Sequence, residues 1–232
     1  MANNKFDASL RTLGGNKLLV EAQPEVLADI EKKCEWLEYS PGDVVIDQTD
    51  DTTNVFFVVK GKLKAMDYLF DEQEVAFAEL GPGDSFGELA AIDLKVRSAR
   101  VTAMEPTLVA SLPSKEFRKL LIACPGMALA LLKRFAGFIR TLNTRITALS
   151  TLTPHQRIYY ELLRISEPNT IGDGSWIIVN IPNHSEIASW IGAEKEIVAD
   201  AIGKLARDGV VERKHKSLLI KDHPRLQRLA NQ

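Results

Sequence analysis

The segment Gly81-Pro-Gly-Asp-Ser-Phe-Gly-Glu-Leu-Ala-Ala-Ile-Asp-Leu-Lys-Val-Arg-Ser-Ala-Arg-Val-Thr-Ala103 decides how this chain is read. A glycine-rich turn opens it, and the pair Gly87-Glu88 leads into a short apolar stretch predicted to be helical. Arg97 follows, beside the small residues Ser98 and Ala99. This chemistry suits a sugar-phosphate. Backbone N–H groups at a helix start attract an anion, and a guanidinium offers that anion a fork of donors. Glu88 would repel a phosphate, so it is read as the acceptor for a ribose hydroxyl. The plainer reading is a turn between strands followed by a surface arginine. Phe-Gly-Glu-Leu-Ala followed by Arg-Ser-Ala at this distance is more particular than such a turn requires, and favours a ligand site.

The flanking sequence is β-rich. Runs at 43–46, 54–59, 63–68, 75–80, 100–103 and 108–112 are separated by Pro41-Gly42-Asp43, Lys60-Gly61-Lys62 and Gly81-Pro82-Gly83-Asp84. The Pro-Gly-Asp triplet occurs twice, opening strands at matching points of two sheet halves. Many short strands at this spacing predict a sandwich or jelly-roll barrel. Before them, residues 7–38 show apolar positions at helical spacing (Leu18, Leu19, Val26, Leu27, Ile30, Cys34), predicting two or three short helices.

After the strands, Ser114 is the expected N-cap of a helix over 114–123, which Cys124-Pro125-Gly126 interrupts. A long helix then spans about 125–150. One apolar line on it holds Leu131, Phe135, Phe138, Leu142 and Leu149, and another holds Leu132, Ile139 and Ile146. Two apolar faces imply two partners, the β-domain and an identical helix across a two-fold axis. A single wide stripe buried in one core is the alternative. Pro154 marks a hinge over 150–154, with Thr153 as cap of a helix over 154–166. Gly172-Asp173-Gly174 is read as a turn before a strand over 176–181.

From Pro182 the pattern predicts a helix over 184–191, a break at Gly192, and a second helix from about Glu194. Ala188, Gly192 and Val198 supply the small residue, the turn glycine and the apolar anchor of a helix-turn-helix. Runs at 210–213 and 217–220 form a hairpin tipped by Arg213, Lys214, His215 and Lys216. Such a winged helix-turn-helix sets its second helix in the major groove of double-stranded DNA and its wing on phosphates. A helical packing domain with a solvated charge run is the blander possibility.

Composition constrains the rest. The chain has 232 residues, 45% of them hydrophobic, enough for a real core. Its formal net charge of −2 would not by itself suggest DNA. Cys34 and Cys124 lack metal-ligand spacing and read as buried thiols. All four histidines (155, 184, 215, 223) lie late in the chain, which argues against a haem or histidine-ligated metal sensor in the front part. No metal and no catalytic set is expected, so an enzyme finds little support. With no apolar run of spanning length and no signal-peptide core at the N-terminus, a cytoplasmic protein without membrane partners is expected.

Strand domain, long helix and winged helix-turn-helix, in this order, resemble the cAMP receptor protein family, within the larger group that includes the fumarate–nitrate regulators. The resemblance covers residues from about 15 to 222. It implies an α+β chain: a cyclic-nucleotide-binding β jelly-roll with flanking helices (1–122), a dimerisation helix and hinge (123–153), and a winged helix-turn-helix DNA-binding domain (154–232). The implied protein is a homodimeric, cAMP-responsive transcription regulator, allosteric in that ligand bound at the junction of barrel and long helix places the recognition helices. RNA polymerase contact is implied too, though no residue here carries it. The alternative is a regulator of this fold that binds another ligand or none.

Residue by residue, the resemblance puts Glu88 on the ribose 2′-hydroxyl and Arg97 and Ser98 on the cyclic phosphate. Gly87, Leu89, Ala90 and Ala99 take backbone and packing positions, and Phe77 lies near the base. On the long helix Leu142 and Asn143 take the positions that meet the adenine amino group, Leu142 replacing the usual threonine. Along the recognition helix, Lys195, Glu196 and Asp200 stand where the family often has Arg-Glu and a further arginine. Lys195 would contact guanine and Glu196 a cytosine amino group, whereas Asp200 would repel phosphate. Glu194 replaces a small hydroxyl residue at the helix start, and His184, Ser185 and Lys216 are the expected backbone contacts.

Overall fold

The computed structural model describes residues 6–69, 73–170 and 174–231. The chain forms two compact units, residues 1–137 and 138–232, and one long helix runs from the first into the second.

In the first unit, a 3-10 turn at Ala8–Leu10 and helix α1 (Pro24–Lys33) precede eight strands. These are β1 (Glu35–Tyr39), β2 (Val44–Ile46), β3 (Val55–Lys60), β4 (Leu63–Leu69), β5 (Gln73–Leu80), β6 (Ser85–Phe86), β7 (Arg100–Ala103) and β8 (Thr107–Leu112). Helix α2 (Glu88–Asp93) sits between β6 and β7, and α3 (Ser114–Ala123) and the start of α4 (Pro125–Thr151) follow. Two antiparallel four-stranded sheets result, ordered β1-β8-β3-β6 and β2-β7-β4-β5.

The sequence of β3 explains why the first sheet is covered on both sides. Successive side chains of a strand point to opposite faces. Phe56 and Val58 join Ile46, Leu63, Leu80 and Val101 in a core between the sheets. Val55 and Phe57 join Ile30, Phe117, Met127 and Leu131 from the helices in a second core. With both faces buried, Val-Phe-Phe-Val-Val loses the polar alternation of a half-exposed strand.

The two Pro-Gly-Asp turns are built alike. Gly42 and Gly83 hold φ of 89° and 87°. Asp43 Oδ2 accepts from the Ser40 N–H at 2.6 Å, and Asp84 Oδ2 from the Gly81 N–H at 2.9 Å. They open β2 and β6, one in each sheet, as the repeat in the sequence implied.

Several expectations need correction. The helical reading of 7–38 holds only for Pro24–Lys33, apart from the 3-10 turn. Glu35–Tyr39 is a strand because it pairs in register with β8, a long-range partner that local spacing does not reveal. Leu13, Leu18 and Leu19 are buried from a segment of turns. Ser114 is the first helical residue of α3 rather than its cap: Pro113 is the N-cap, and Ser114 Oγ lies 2.8 Å from Thr53 Oγ1.

In the second unit α4 ends and α5 (Pro154–Ile165) begins on a capping box, with Gln156 N–H donating to Thr153 Oγ1 and Gln156 Oε1 accepting from the Thr153 N–H. Strands β9 (Glu167–Pro168) and β10 (Trp176–Ile178) precede α6 (His184–Ile191) and α7 (Lys195–Arg207). Then come β11 (Val211–Lys214), β12 (Ser217–Ile220) and α8 (His223–Asn231), the sheet being ordered β11-β12-β10-β9. The expected strand over 176–181 stops at Ile178, since Asn180 turns the chain at φ 51°. Gly172 and Asp173 of the expected turn lie outside the described residues. Helix α8 had no counterpart in the sequence reading; it buries Leu226 and Ala230 against α5 and the helix-turn-helix core.

Candidate functional site

The Gly81–Ala103 segment folds as a loop and short helix set against β3. Gly87 caps α2 with φ 81°, a conformation that an L side chain rarely adopts. A Cβ there would stand 2.7 Å from Arg97 Nη1 and 2.9 Å from the Asn54 carbonyl oxygen. This glycine therefore makes room for the arginine.

Arg97 is 4% exposed. Its Nη1 donates to the Asn54 carbonyl at 3.0 Å and the Gly87 carbonyl at 3.2 Å, and its Nη2 to Thr52 Oγ1 at 3.1 Å. The guanidinium also stands 5.7 Å from the centroid of the Phe56 ring, which stacks on Phe86 at 5.1 Å. Its buried Nε has no acceptor among the described residues. Burial pulls Arg97 below the usual arginine value while nearby Asp50 opposes the shift, and the group remains a cation. A charge held by three neutral oxygens, with two of its five N–H donors left over, is suited to pairing with an incoming anion.

Glu88 is buried, on the first turn of α2. Its nearest cation is Arg134, from the part of α4 in the same unit, with Nη2 3.8 Å from Oε1. Arg134 also donates from Nη1 to Ser85 Oγ at 2.9 Å and from Nη2 to the Ser85 carbonyl at 2.8 Å. Sequence reasoning missed Arg134, which lies off both apolar lines of the long helix, and missed Asn54 and Thr52, whose role rests on a carbonyl and a hydroxyl far away in sequence.

The other expected residues fall as follows. Ala90 is buried, Ala99 half-buried, and Ser98 and Leu89 exposed. The Phe77 side chain lies outside what is described. Leu142 and Asn143 are exposed residues of α4 in the second unit. On that helix Leu131 is buried, whereas Leu132, Ile139, Leu142 and Ile146 are 62%, 57%, 49% and 62% exposed.

The second unit presents the helix-turn-helix. Asn183 and Glu186 form the capping box of α6, and Gly192 turns the chain at φ 61° into α7. Val198, Ala201, Ile202 and Leu205 bury one face of α7. Lys195, Glu196 and Asp200 stay exposed on the other side, with Glu194 as N-cap without a side-chain bond. Asp200 is not isolated: His155 Nε2 lies 3.5 Å from its Oδ2 and Arg207 Nη2 3.8 Å from its Oδ1. Arg207 offsets part of the charge expected to repel phosphate.

The wing turns at His215, with φ 54°, and leaves Arg213, Lys214 and Lys216 exposed. Arg213 Nη2 meets His184 Nε2 at 2.5 Å, joining wing and first helix. Burial and then Arg213 hold His184 below the usual histidine value, and because arginine only donates, Nε2 is the acceptor of this contact. Ser185 remains exposed beside it. Among the described residues, no group of three or more His, Cys, Asp or Glu side chains could hold a metal ion. Nor is any single helix among the described residues long and apolar enough to cross a membrane.

Comparison with known proteins agrees with this layout. Residues 36–124 match the family model of the cyclic nucleotide-binding domain, and residues 156–229 that of the Crp-like helix-turn-helix domain. A CRP-like cAMP-activated global transcriptional regulator of Mycobacterium tuberculosis is 25% identical over 209 residues, covering 90% of this chain and 93% of that protein. The cyclic AMP receptor protein of Thermus thermophilus is 29% identical over 173 residues, 75% of this chain and 77% of the relative. Among solved structures, a CooA mutant from Carboxydothermus hydrogenoformans superposes with a TM-score of 0.77 at 21% identity, over 95% of this chain and 98% of its own.

Proposed function

Because this chain belongs to the CRP/FNR family of DNA-binding transcription regulators, which are not enzymes, we propose that cAMP is its effector and that it acts as a cytoplasmic homodimer. The cyclic nucleotide-binding domain makes a cyclic nucleotide the natural ligand class. One observation carries the choice of site: Glu88 on the first turn of α2 is a buried carboxylate, and Arg97 just beyond that helix is a buried cation with spare donors. The carboxylate suits a ribose hydroxyl and the guanidinium a cyclic phosphate. Ser98, exposed beside Arg97, supplies a further hydroxyl, and Gly87, Ala90 and Ala99 shape the wall.

The exposed line Leu132, Ile139, Leu142 and Ile146 supports pairing of α4 with a second copy. Lys195 and Glu196 would then read base edges while Ser185, His184 and Lys216 meet phosphates. Bound ligand shifts the equilibrium toward the DNA-competent form only by its differential affinity for the two states.

Calorimetric titration with cAMP, with cGMP alongside, tests the effector. Micromolar binding of cAMP that weakens roughly tenfold or more in Arg97→Ala is expected. Equal affinity in parent and variant would place the nucleotide elsewhere. A second reading has its own observation: the internal bonds from Arg97 to Asn54, Gly87 and Thr52 satisfy most of its donors without any ligand. On that reading the chain senses another molecule or none, and neither nucleotide gives heat or a thermal shift.

A further inference from the structure

A groove of about 190 Å³ in the second unit is lined by the last turns of α4 and by α5 and α6. Its cations are unevenly provided for. Arg164 forks onto the buried Glu161, with Nε 2.8 Å from Oε2. Arg157 spends its terminal nitrogens on the Leu152 and Gly192 carbonyls, and its buried Nε has no acceptor. Arg140 and Arg145 have no hydrogen-bonded or ion-paired side-chain partner among the described residues. Glu161 is the single carboxylate in the lining, and Arg164 already occupies it.

Between these charged groups the lining is apolar and aromatic: Ala148, Leu149, Tyr160, Trp190 and Ile191. Leu149 lies close to Gly192. Arginine beside aromatic surface favours a planar anion, since the guanidinium pairs with its charge while the rings cover its body. Size narrows the class. A dry cavity of about 150 Å³ takes one benzene ring, so this groove admits one ring with an anionic substituent.

The groove lies on a different face of α4 from the exposed apolar line. Thr141, Arg145 and Ala148 line it, whereas Ile139, Leu142 and Ile146 do not. Pairing of the helices would leave it open.

We propose that this groove is a second ligand site, taking a small single-ring aromatic anion such as an aryl phosphate or aryl carboxylate. Arg140 and Arg145 pair with its charge, and Tyr160 and Trp190 cover the ring. An occupant ties the end of α4 to α5 and α6, and so bears on the hinge at Leu152 and Thr153. The site does not depend on the nucleotide reading.

Phenyl phosphate is the probe, titrated into the full chain by calorimetry and followed by tryptophan fluorescence, with inorganic phosphate in parallel. Saturable binding of phenyl phosphate near 1 mM or tighter is expected, with inorganic phosphate weaker by roughly tenfold or more. The double variant Arg140→Ala/Arg145→Ala, melted separately to check its fold, should lose at least about tenfold in affinity, while Arg97→Ala should leave it unchanged. No saturable binding would overturn the proposal, as would equal binding of inorganic phosphate. Loss of binding in Arg97→Ala with the double variant unaffected would also overturn it, because the probe would then sit beside α2.

Discussion

Arg134 of the long helix grips Ser85 twice, through the hydroxyl at 2.9 Å and the carbonyl at 2.8 Å, two residues ahead of the glycine that opens α2. The helix is thereby fastened to the strand leading into the candidate nucleotide site, and the same guanidinium stands near Glu88.

Replacing Arg134 should therefore cost stability. Charge-assisted hydrogen bonds contribute about 1.5–3 kcal/mol, and Ser85 is 2% exposed with few alternatives. Arg134→Met is expected to destabilise by about 2 kcal/mol in urea unfolding. A double-mutant cycle with Ser85→Ala should return part of that as coupling. Additive losses would show that the bond to the Ser85 hydroxyl contributes nothing, since the alanine keeps the carbonyl. If Glu88 reads the ribose, Arg134→Met should also change cAMP affinity.

Gly87→Ala should be more damaging than its size suggests. The left-handed conformation costs about 1–2 kcal/mol for an L residue, and the new methyl would press on the Asn54 carbonyl and Arg97. The melting temperature should fall, and nucleotide binding should fall with it. A variant that melts like the parent would mean the turn adapts and Arg97 has room to move.

Acidification should loosen the link between wing and first helix. His184 lies below its usual value in the folded chain, so the unfolded chain binds the proton more readily. Its contribution is thus present above the unfolded pKa of about 6.5 and is lost as pH falls through the folded value. His184→Gln should flatten the fall in melting temperature between about pH 7 and pH 5. An unchanged profile would assign the acid sensitivity to other groups.

Cys34 should resist alkylation. Burial first, and Glu31 second, push its thiol up to about 12, so thiolate is scarce at pH 8. Iodoacetamide should label it slowly in the folded protein and readily in urea. Fast labelling without denaturant would show that its environment opens.

Much of this architecture is legible locally. Helix-turn-helix bounds, the Thr153 cap and the paired Pro-Gly-Asp turns follow from residues a few positions apart, and such signals survive in a single sequence. What escaped depends on distant partners. Glu35–Tyr39 becomes a strand through β8, more than 60 residues away. Arg97 is held by Asn54 and Thr52, of which nothing in the local pattern speaks. Arg134 was hidden because an arginine between apolar lines reads as solvent-facing until its target is placed.

The bonds from Arg97 to Asn54, Gly87 and Thr52 bear on how such a chain changes over generations. A cation engaged by its own fold is useful even when no ligand comes. Selection for a well-folded protein alone would keep arginine at this position, with the glycine that makes room for it. A lineage could shed its effector and still carry an intact-looking segment, so retention of these residues among relatives would record the demands of folding as much as those of signalling.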